Sequence, residues 1–179
     1  FSGEWQNLVN RYWGDSYWNG GPWFLSTLWY GLYYAERADL TQGKADIDNH
    51  KTRIDLCMSN LGPSGFGAEQ ISASNSLLYP DFKLQAAWPN AWESMSTLID
   101  SMMAFLDYTP NAAANRITIA PKLPTTWSTM TFNNVRMGSH QFGVSLSENV
   151  KQATLQFTNV TGAACDFTTW LKVPPGKRV

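Results

Sequence analysis

The chain has 179 residues, thirteen Lys plus Arg against fourteen Asp plus Glu, and a formal net charge of -1. With no Lys/Arg-rich run, this balance argues against a nucleic-acid partner, and no apolar stretch approaches the ~20 residues that a membrane span needs. What remains is a globular chain, 44% hydrophobic, that is rich in aromatic residues (14%, nine of them Trp) and poor in charge (15%). Rings in such excess suit the CH faces of sugars, although they also fill cores. Beginning at Phe1 without a signal-peptide pattern, the chain reads as a processed or excised piece.

Residues 1–21 are aromatic, polar and Gly-rich without a sustained period, and predict a long loop with one short helix around Glu4 to Arg11. At Pro22 the pattern changes. Trp23, Leu25, Leu28, Trp29, Leu32 and Tyr33 recur at helical spacing and predict a helix from Pro22 to Ala38, followed by a break over Asp39 to Gly43. A second helix is expected over Ala45 to Asn60, ending on the stop signal Leu61-Gly62-Pro63-Ser64-Gly65. Phe66 to Ala87 is loop-like and too long for a mere connector. A third helix is expected over Asn90 to Asp107, with Asn90 as N-cap and Glu93 as its capping-box partner. Its apolar stripe would be Trp92, Met95, Leu98, Ile99, Met102, Met103 and Leu106, with the methionines as core filler.

From Arg116 onward alternation dominates. Ile117/Ile119, Met130/Phe132, Phe142/Val144/Leu146 and Ala153/Leu155/Phe157 each skip one residue, as half-buried antiparallel strands do, and Gly138, Asn149 and Gly162 punctuate them. The fold class is therefore α+β, with a helical part over residues 1–108 and a small antiparallel β-domain over 116–179. The tail Val173 to Val179 reads as the approach to a further strand, so that the β-domain is expected to be incomplete. Cys57 and Cys165 lie far apart with no C-x-x-C partner, and two free thiols are the default. The sequon Asn159-Val160-Thr161 is compatible with an extracellular protein, in which a Cys57 to Cys165 disulfide could form.

Chemistry is expected on the Gly-bounded loops. The first loop joins Arg11, Tyr12 and Asp15 to a set of rings ending in Trp23, a mixture that suits a neutral polyhydroxylated ligand: rings stack on the sugar while Arg and Asp hold its hydroxyls. The second holds Glu69 and Gln70 after Gly65-Phe66-Gly67-Ala68, where backbone can approach a ligand closely. Glycoside hydrolysis needs two carboxyl groups across the scissile bond, and Glu69 is a candidate for one of them. With only His50 and His140 as histidines, and no H-E-x-x-H, G-x-S-x-G or phosphate loop, no metal or cofactor is expected.

Both segments resemble glucoamylase-family glycoside hydrolases, in the right order. In that family an Arg-Tyr opens a loop running into an Asn-Gly-x-Pro-Trp-[Phe/Ile]-Leu helix start, matched here by Arg11-Tyr12 and Asn19-Gly20-Gly21-Pro22-Trp23-Phe24-Leu25. The base loop of the family carries a Glu-Gln pair, matched by Glu69-Gln70, and the following Trp-Ser-x-Ala helix start is met by Trp88-Pro89-Asn90-Ala91. The resemblance covers about residues 10 to 107. It implies that the helices are the last hairpins of an (α/α) toroid of six hairpins. It also implies that Glu69 is the general base and that Arg11 and Trp23 contact the terminal glucosyl unit, with Asp15, Gln70 and Trp88 in the same substrate site. The reaction implied is inverting release of β-glucose from the non-reducing ends of α-glucans, with an oligo- or polysaccharide as partner.

The general acid of the family lies upstream of this segment, so the chain is expected to need the upstream part of the same enzyme; of the spare glutamates, Glu36 is expected on an exposed helix face and Glu93 at the N-cap. Ala120-Pro121-Lys122-Leu123-Pro124 and Val135-Arg136-Met137-Gly138 look like the carboxy-terminal β-domain of related toroid glycosidases and disaccharide phosphorylases, a supporting element. A disaccharide phosphorylase, or a carbohydrate-binding fragment without catalysis, are the alternatives.

Overall fold

The computed structural model describes residues 4–5, 7–12, 21–41, 43–62, 64–71 and 89–171. The fold is mixed α+β, and the chain divides into two compact units, Phe1–Met102 and Met103–Val179.

The first unit opens with a two-stranded antiparallel ribbon, β1 (Glu4–Trp5) and β2 (Leu8–Val9), where a short helix was the sequence expectation. Two features exclude that helix. Asn7 turns the chain with φ 69°, a left-handed conformation that Asn tolerates better than most residues. Val9 then spends its backbone groups on the next element, its carbonyl accepting from Trp23 N (2.9 Å) and its N–H donating to Thr27 Oγ1 (2.9 Å).

Helix α1 (Phe24–Thr41) buries Phe24, Thr27, Leu28, Gly31, Ala35 and Ala38, a stripe at three- and four-residue spacing. It packs antiparallel to α2 (Lys44–Ser59): Gly31 lies opposite His50 and Arg53, while Arg37 near the end of α1 meets Asp46 at the start of α2. A Cβ on Gly31 would come within 3.1 Å of His50 Nδ1 and 3.3 Å of Arg53 Cβ, so the absent side chain sets how closely the helices approach. The expected break at Asp39 comes later. Asp46 accepts from Arg37 Nε (3.0 Å) and Thr41 Oγ1 (2.8 Å), which holds the last turn of α1 in place. The Arg37 guanidinium, more than Thr41, holds the buried Asp46 carboxyl below its ordinary range against the opposing effect of burial.

The third helix begins with a π-helical turn over Ala91–Met95 and continues as α3 (Ser96–Met103), ending short of Asp107. Its buried face differs from the apolar stripe expected. Trp92 and Ile99 are exposed (67% and 61%), whereas Glu93, Ser94, Thr97, Leu98 and Ser101 are buried. The face turned inward is largely polar because its neighbours are polar: Ser101 O sits 2.9 Å from His50 Nε2, and Ser94 packs on Gly67.

The second unit holds two three-stranded sheets. In one, β3 (Tyr108–Asn111) pairs antiparallel with β4 (Arg116–Ile119), and β4 pairs in parallel with β8 (Asp166–Thr169), so this part is not wholly antiparallel. In the other, β5 (Thr129–Met137), β6 (His140–Glu148) and β7 (Ala153–Thr161) form an antiparallel meander. One apolar cluster joins the sheets: Ile117 and Ile119 from β4, Val135 and Met137 from β5, Phe142 and Val144 from β6, with Leu106. Phe142 and Phe157 meet Phe167 of β8 edge-on, at centroid distances of 5.2 and 4.9 Å. Met103 and Leu106 pack into the same cluster, which is why the division between units falls before the sequence break at Tyr108 to Asn115.

Every described non-glycine residue with positive φ is Asn or Asp: Asn7, Asp107, Asn115, Asn134 and Asn159. In the second unit they stand where the backbone bends, before β3, at the β3–β4 turn, and in the irregularities of β5 and β7. Cys57 and Cys165 are free thiols, the former buried and the latter half-buried, and burial pushes the Cys57 thiol well up from its ordinary range. Residues Val173 to Val179 of the expected further strand lie outside the described residues. No helix is long and apolar enough to cross a membrane, and no group of metal ligands occurs among the described residues.

Candidate functional site

The site is built on backbone pairing between the two loops singled out by sequence. Trp23 forms an antiparallel bridge with Gln70, and Ile71 N donates to Pro22 O at 2.7 Å. Gln70 Nε2 reaches Gly21 O at 3.4 Å. The start of α1 therefore fixes the end of the Glu69 loop, while Trp23 N to Val9 O fixes the segment leading to Arg11 on the other side. Three stretches distant in sequence meet at Trp23.

The same loop is pinned from below by the third helix. Asn90 N donates to Gly67 O at 3.0 Å, and an added Cβ at Gly67 would lie 2.9 Å from both Cβ and Oγ of Ser94 and 3.2 Å from Phe24 Cζ. Gly67 is thus a point of closest approach. Any side chain there would lift the loop that presents Glu69.

Arg11, Trp23, Glu69 and Gln70 come together. The Arg11 guanidinium stacks over the Trp23 ring, 4.0 Å from its centroid, and lies 4.9 Å from that of Tyr12, whose hydroxyl oxygen accepts from Arg11 Nη2 at 3.3 Å. Trp23 and Gln70 are buried (1% and 0% exposed). Trp23 is the plate beneath Arg11, and Gln70 is the strand partner that locks Trp23 in place. Arg11 is exposed and Glu69 half-buried, so these are the groups able to meet a ligand. Asp15 and Trp88 lie outside the described residues.

One further carboxyl belongs to the site, Glu93, which its spacing from Asn90 marks as a capping partner. Asn90 does cap the third helix, its side-chain oxygen accepting from Glu93 N (2.8 Å) and Ser94 N (3.4 Å). The reciprocal half of a capping box is absent, because Asn90 N is already committed to Gly67 O. Glu93 is instead buried (4% exposed) next to the Glu69 loop, and its Oε2 has no hydrogen-bond partner. Burial pushes its carboxyl up to about 7, the charge of Glu69 adds to the rise, and Arg11 opposes it. Glu69, Glu93 and Arg11 are therefore close enough to share one electrostatic environment. The signal available in the sequence was the polar run of Glu93, Ser94, Thr97 and Ser101 at helical spacing, a stripe that marks a buried polar face.

Arg11 also borders a groove of about 620 Å³ lined by Val9, Asn10, Leu25, Ser26, Trp29, Tyr30 and Tyr33. Trp29 (60%) and Tyr33 (50%) expose their rings on this side of α1, and Tyr30 stacks parallel to Tyr33 at 6.0 Å. The arrangement offers a cation on a ring, a half-exposed carboxylate and a second, buried carboxyl. Such a set can hold hydroxyl groups and transfer a proton. No family model, curated protein or solved structure matches the chain.

Proposed function

We propose that this chain carries the base-bearing part of an inverting, exo-acting glycoside hydrolase of the glucoamylase type, acting on α-glucans with Glu69 as general base. The observation that supports it best is the joining of Arg11, Trp23 and Glu69 through the Trp23 to Gln70 bridge, which brings a guanidinium fork and a carboxylate from distant loops to one place. On this reading α1, α2 and the third helix belong to the end of a helical toroid, and the β-unit supports it.

Arg11, held over the Trp23 ring, grips two hydroxyls of the terminal sugar, since a planar guanidinium presents paired donors in fixed geometry. Glu69 takes a proton from a water placed on the face of the ring opposite the leaving group. The general acid, which protonates the leaving oxygen, comes from the upstream part of the enzyme. Inversion requires that acid and base stand about 6.5 to 9.5 Å apart, leaving room for the water, whereas about 5 to 5.5 Å would make Glu69 a nucleophile and retain the anomeric configuration.

Proton NMR in the first minutes of maltooligosaccharide cleavage, before mutarotation, tests this directly. β-Glucose is expected first. Initial α-glucose would sink the base assignment, and cleavage that requires phosphate and yields glucose 1-phosphate would make the protein a phosphorylase.

A further inference from the structure

Among the described residues, Glu93 is the one buried carboxyl beside the Glu69 loop for which the reaction above has no use. Its placement is over-determined: the Asn90 cap fixes its backbone, and Asn90 N holds Gly67 of the base loop, so Glu69 and Glu93 ride on a shared support. Ser94, the next residue, touches the position of the missing Gly67 side chain. A carboxylate oxygen buried without a hydrogen-bond partner is costly, and the cost falls when the group holds a proton. Oε2 of Glu93 is in that position. Two carboxylates sharing a site behave alike, because the first to ionise disfavours the second.

We propose that Glu69 and Glu93 work as one unit carrying a single proton, in which Glu69 is the ionised, reacting member and Glu93 the protonated positioning member. This rests on the hydrolase reading for its consequence in catalysis, but not for the pairing itself. Glu93 is too deeply buried to touch a sugar, and acts through Glu69 and Arg11. While Glu93 is neutral, Glu69 is the only one of the two carboxyls to carry charge beside Arg11. When Glu93 ionises, its proton goes to solvent and a second anion draws on the same guanidinium, which weakens the grip of Arg11 on substrate. The groups facing Glu93 are Glu69 from the base loop and Arg11 from the segment after β2, with Asn90 and Ser94 as uncharged neighbours on its own helix. The expected titration near 7 agrees with the geometry.

The full-length protein, labelled with ¹³C at the glutamate carboxyls, is titrated by NMR together with its E69Q and E93Q variants. One glutamate should titrate near 7 in the unsubstituted protein. That signal should vanish in E93Q, and its midpoint should move down in E69Q, where the neighbouring charge is gone. A midpoint that does not fall in E69Q, or the absence of any glutamate titrating above the ordinary carboxylate range, overturns the pairing. Should E93Q fail to fold, the E69Q arm still decides, since it reads Glu93 itself. For catalysis, the ratio of kcat/KM at about pH 8 to that at about pH 6 should be roughly tenfold higher in E93Q than in the unsubstituted enzyme, because any limb set by the general acid divides out. Equal ratios overturn the positioning role. Coupled titration without cleavage of any glycoside removes the hydrolase reading and leaves the pair; cleavage with an unshifted Glu93 in E69Q does the reverse.

Discussion

The helical unit and the β-unit bury different things. In the β-unit the core is apolar, from Leu106 and Ile117 to Phe142 and Val144, and the two buried polar residues among those described each have a partner. Lys122 Nζ lies 3.1 Å from Asp107 Oδ2, and His140 Nε2 lies 2.7 Å from Asn115 Oδ1. The helical unit instead buries Asp46, His50, Arg53, Gln70, Asn90, Glu93, Ser94, Thr97 and Ser101. Burying polar groups costs free energy unless each finds a partner, so a unit that does so extensively gives up stability for arrangement. The lesson is that one half is built to hold its shape and the other to hold side chains against their preference for water.

The sharpest way to break this contrast is Glu69→Gln. Turnover of maltooligosaccharide should fall by at least ~10² to 10⁴-fold, the usual contribution of a general base, with binding by calorimetry nearly intact. Turnover within about tenfold of the original would remove Glu69 from the chemistry and, with it, the functional side of the comparison. In the β-unit the matching blow falls on stability. Phe142, 1% exposed and in contact with Tyr108, Phe157 and Phe167, should cost about 3 to 5 kcal/mol in urea unfolding when truncated to Ala, with kcat per folded molecule unchanged. A large drop in kcat at full folding would mean that the β-unit is not merely a support.

Gly67→Ala probes the boundary between stability and arrangement inside the helical unit. The added methyl must displace Ser94 or the loop, at a cost of about 1 to 3 kcal/mol, and kcat should fall with it. Adding Ser94→Gly, which removes the atoms in the way, should restore kcat at least in part; no recovery would mean that the contact does not position Glu69. Arg11→Lys is expected to weaken transition-state binding by about 1 to 3 kcal/mol, read from kcat/KM, since an ammonium is a single mobile donor. An unchanged value would make Arg11 a surface cation resting on Trp23.

The smallest effect concerns pH. Arg37 holds Asp46 below its ordinary 3.8 in the folded chain, so the contribution of the ion pair is present above that value and is lost as the pH falls through the lower folded-state value. Thermal unfolding of the helical unit should therefore lose stability on the acid side more steeply than in Asp46→Asn. Parallel curves would show that Arg37, which is part-exposed, adds little.

Much of this was legible beforehand. The helices containing Leu28 and Ile54 were visible from period, and the strands of Phe142 and Leu155 from alternation, because those signals record which face each element buries. Parallel pairing of β4 with β8 was not visible, since Asp166–Thr169 is too short and polar to announce a strand. The ribbon at Glu4–Val9 was hidden because Asn7, which turns it, also fits a helix cap or a loop. For the site, residue type singled out the loops of Arg11, Trp23, Glu69 and Gln70, whereas the burial of Trp23 and Gln70 follows from the bridge between them. Glu93 was found and misread. Its spacing from Asn90 fits a capping box, and only the competing bond from Asn90 N to Gly67 O shows that its side chain is used otherwise.

The sequence by itself determined that the helices precede the larger sheets and placed Glu69 and Arg11 on Gly-bounded loops. These are local properties, set by side-chain period and by the φ values that each residue type tolerates. Only the tertiary structure decided that Trp23 lies under Arg11, that Gly67 admits Ser94, and that the helix carrying Glu93 packs on the loop of Glu69. Those depend on which distant backbones hydrogen-bond to one another, and the electrostatics of a buried carboxyl depend on what surrounds it in space. A sequence does not state that until the chain has closed on itself.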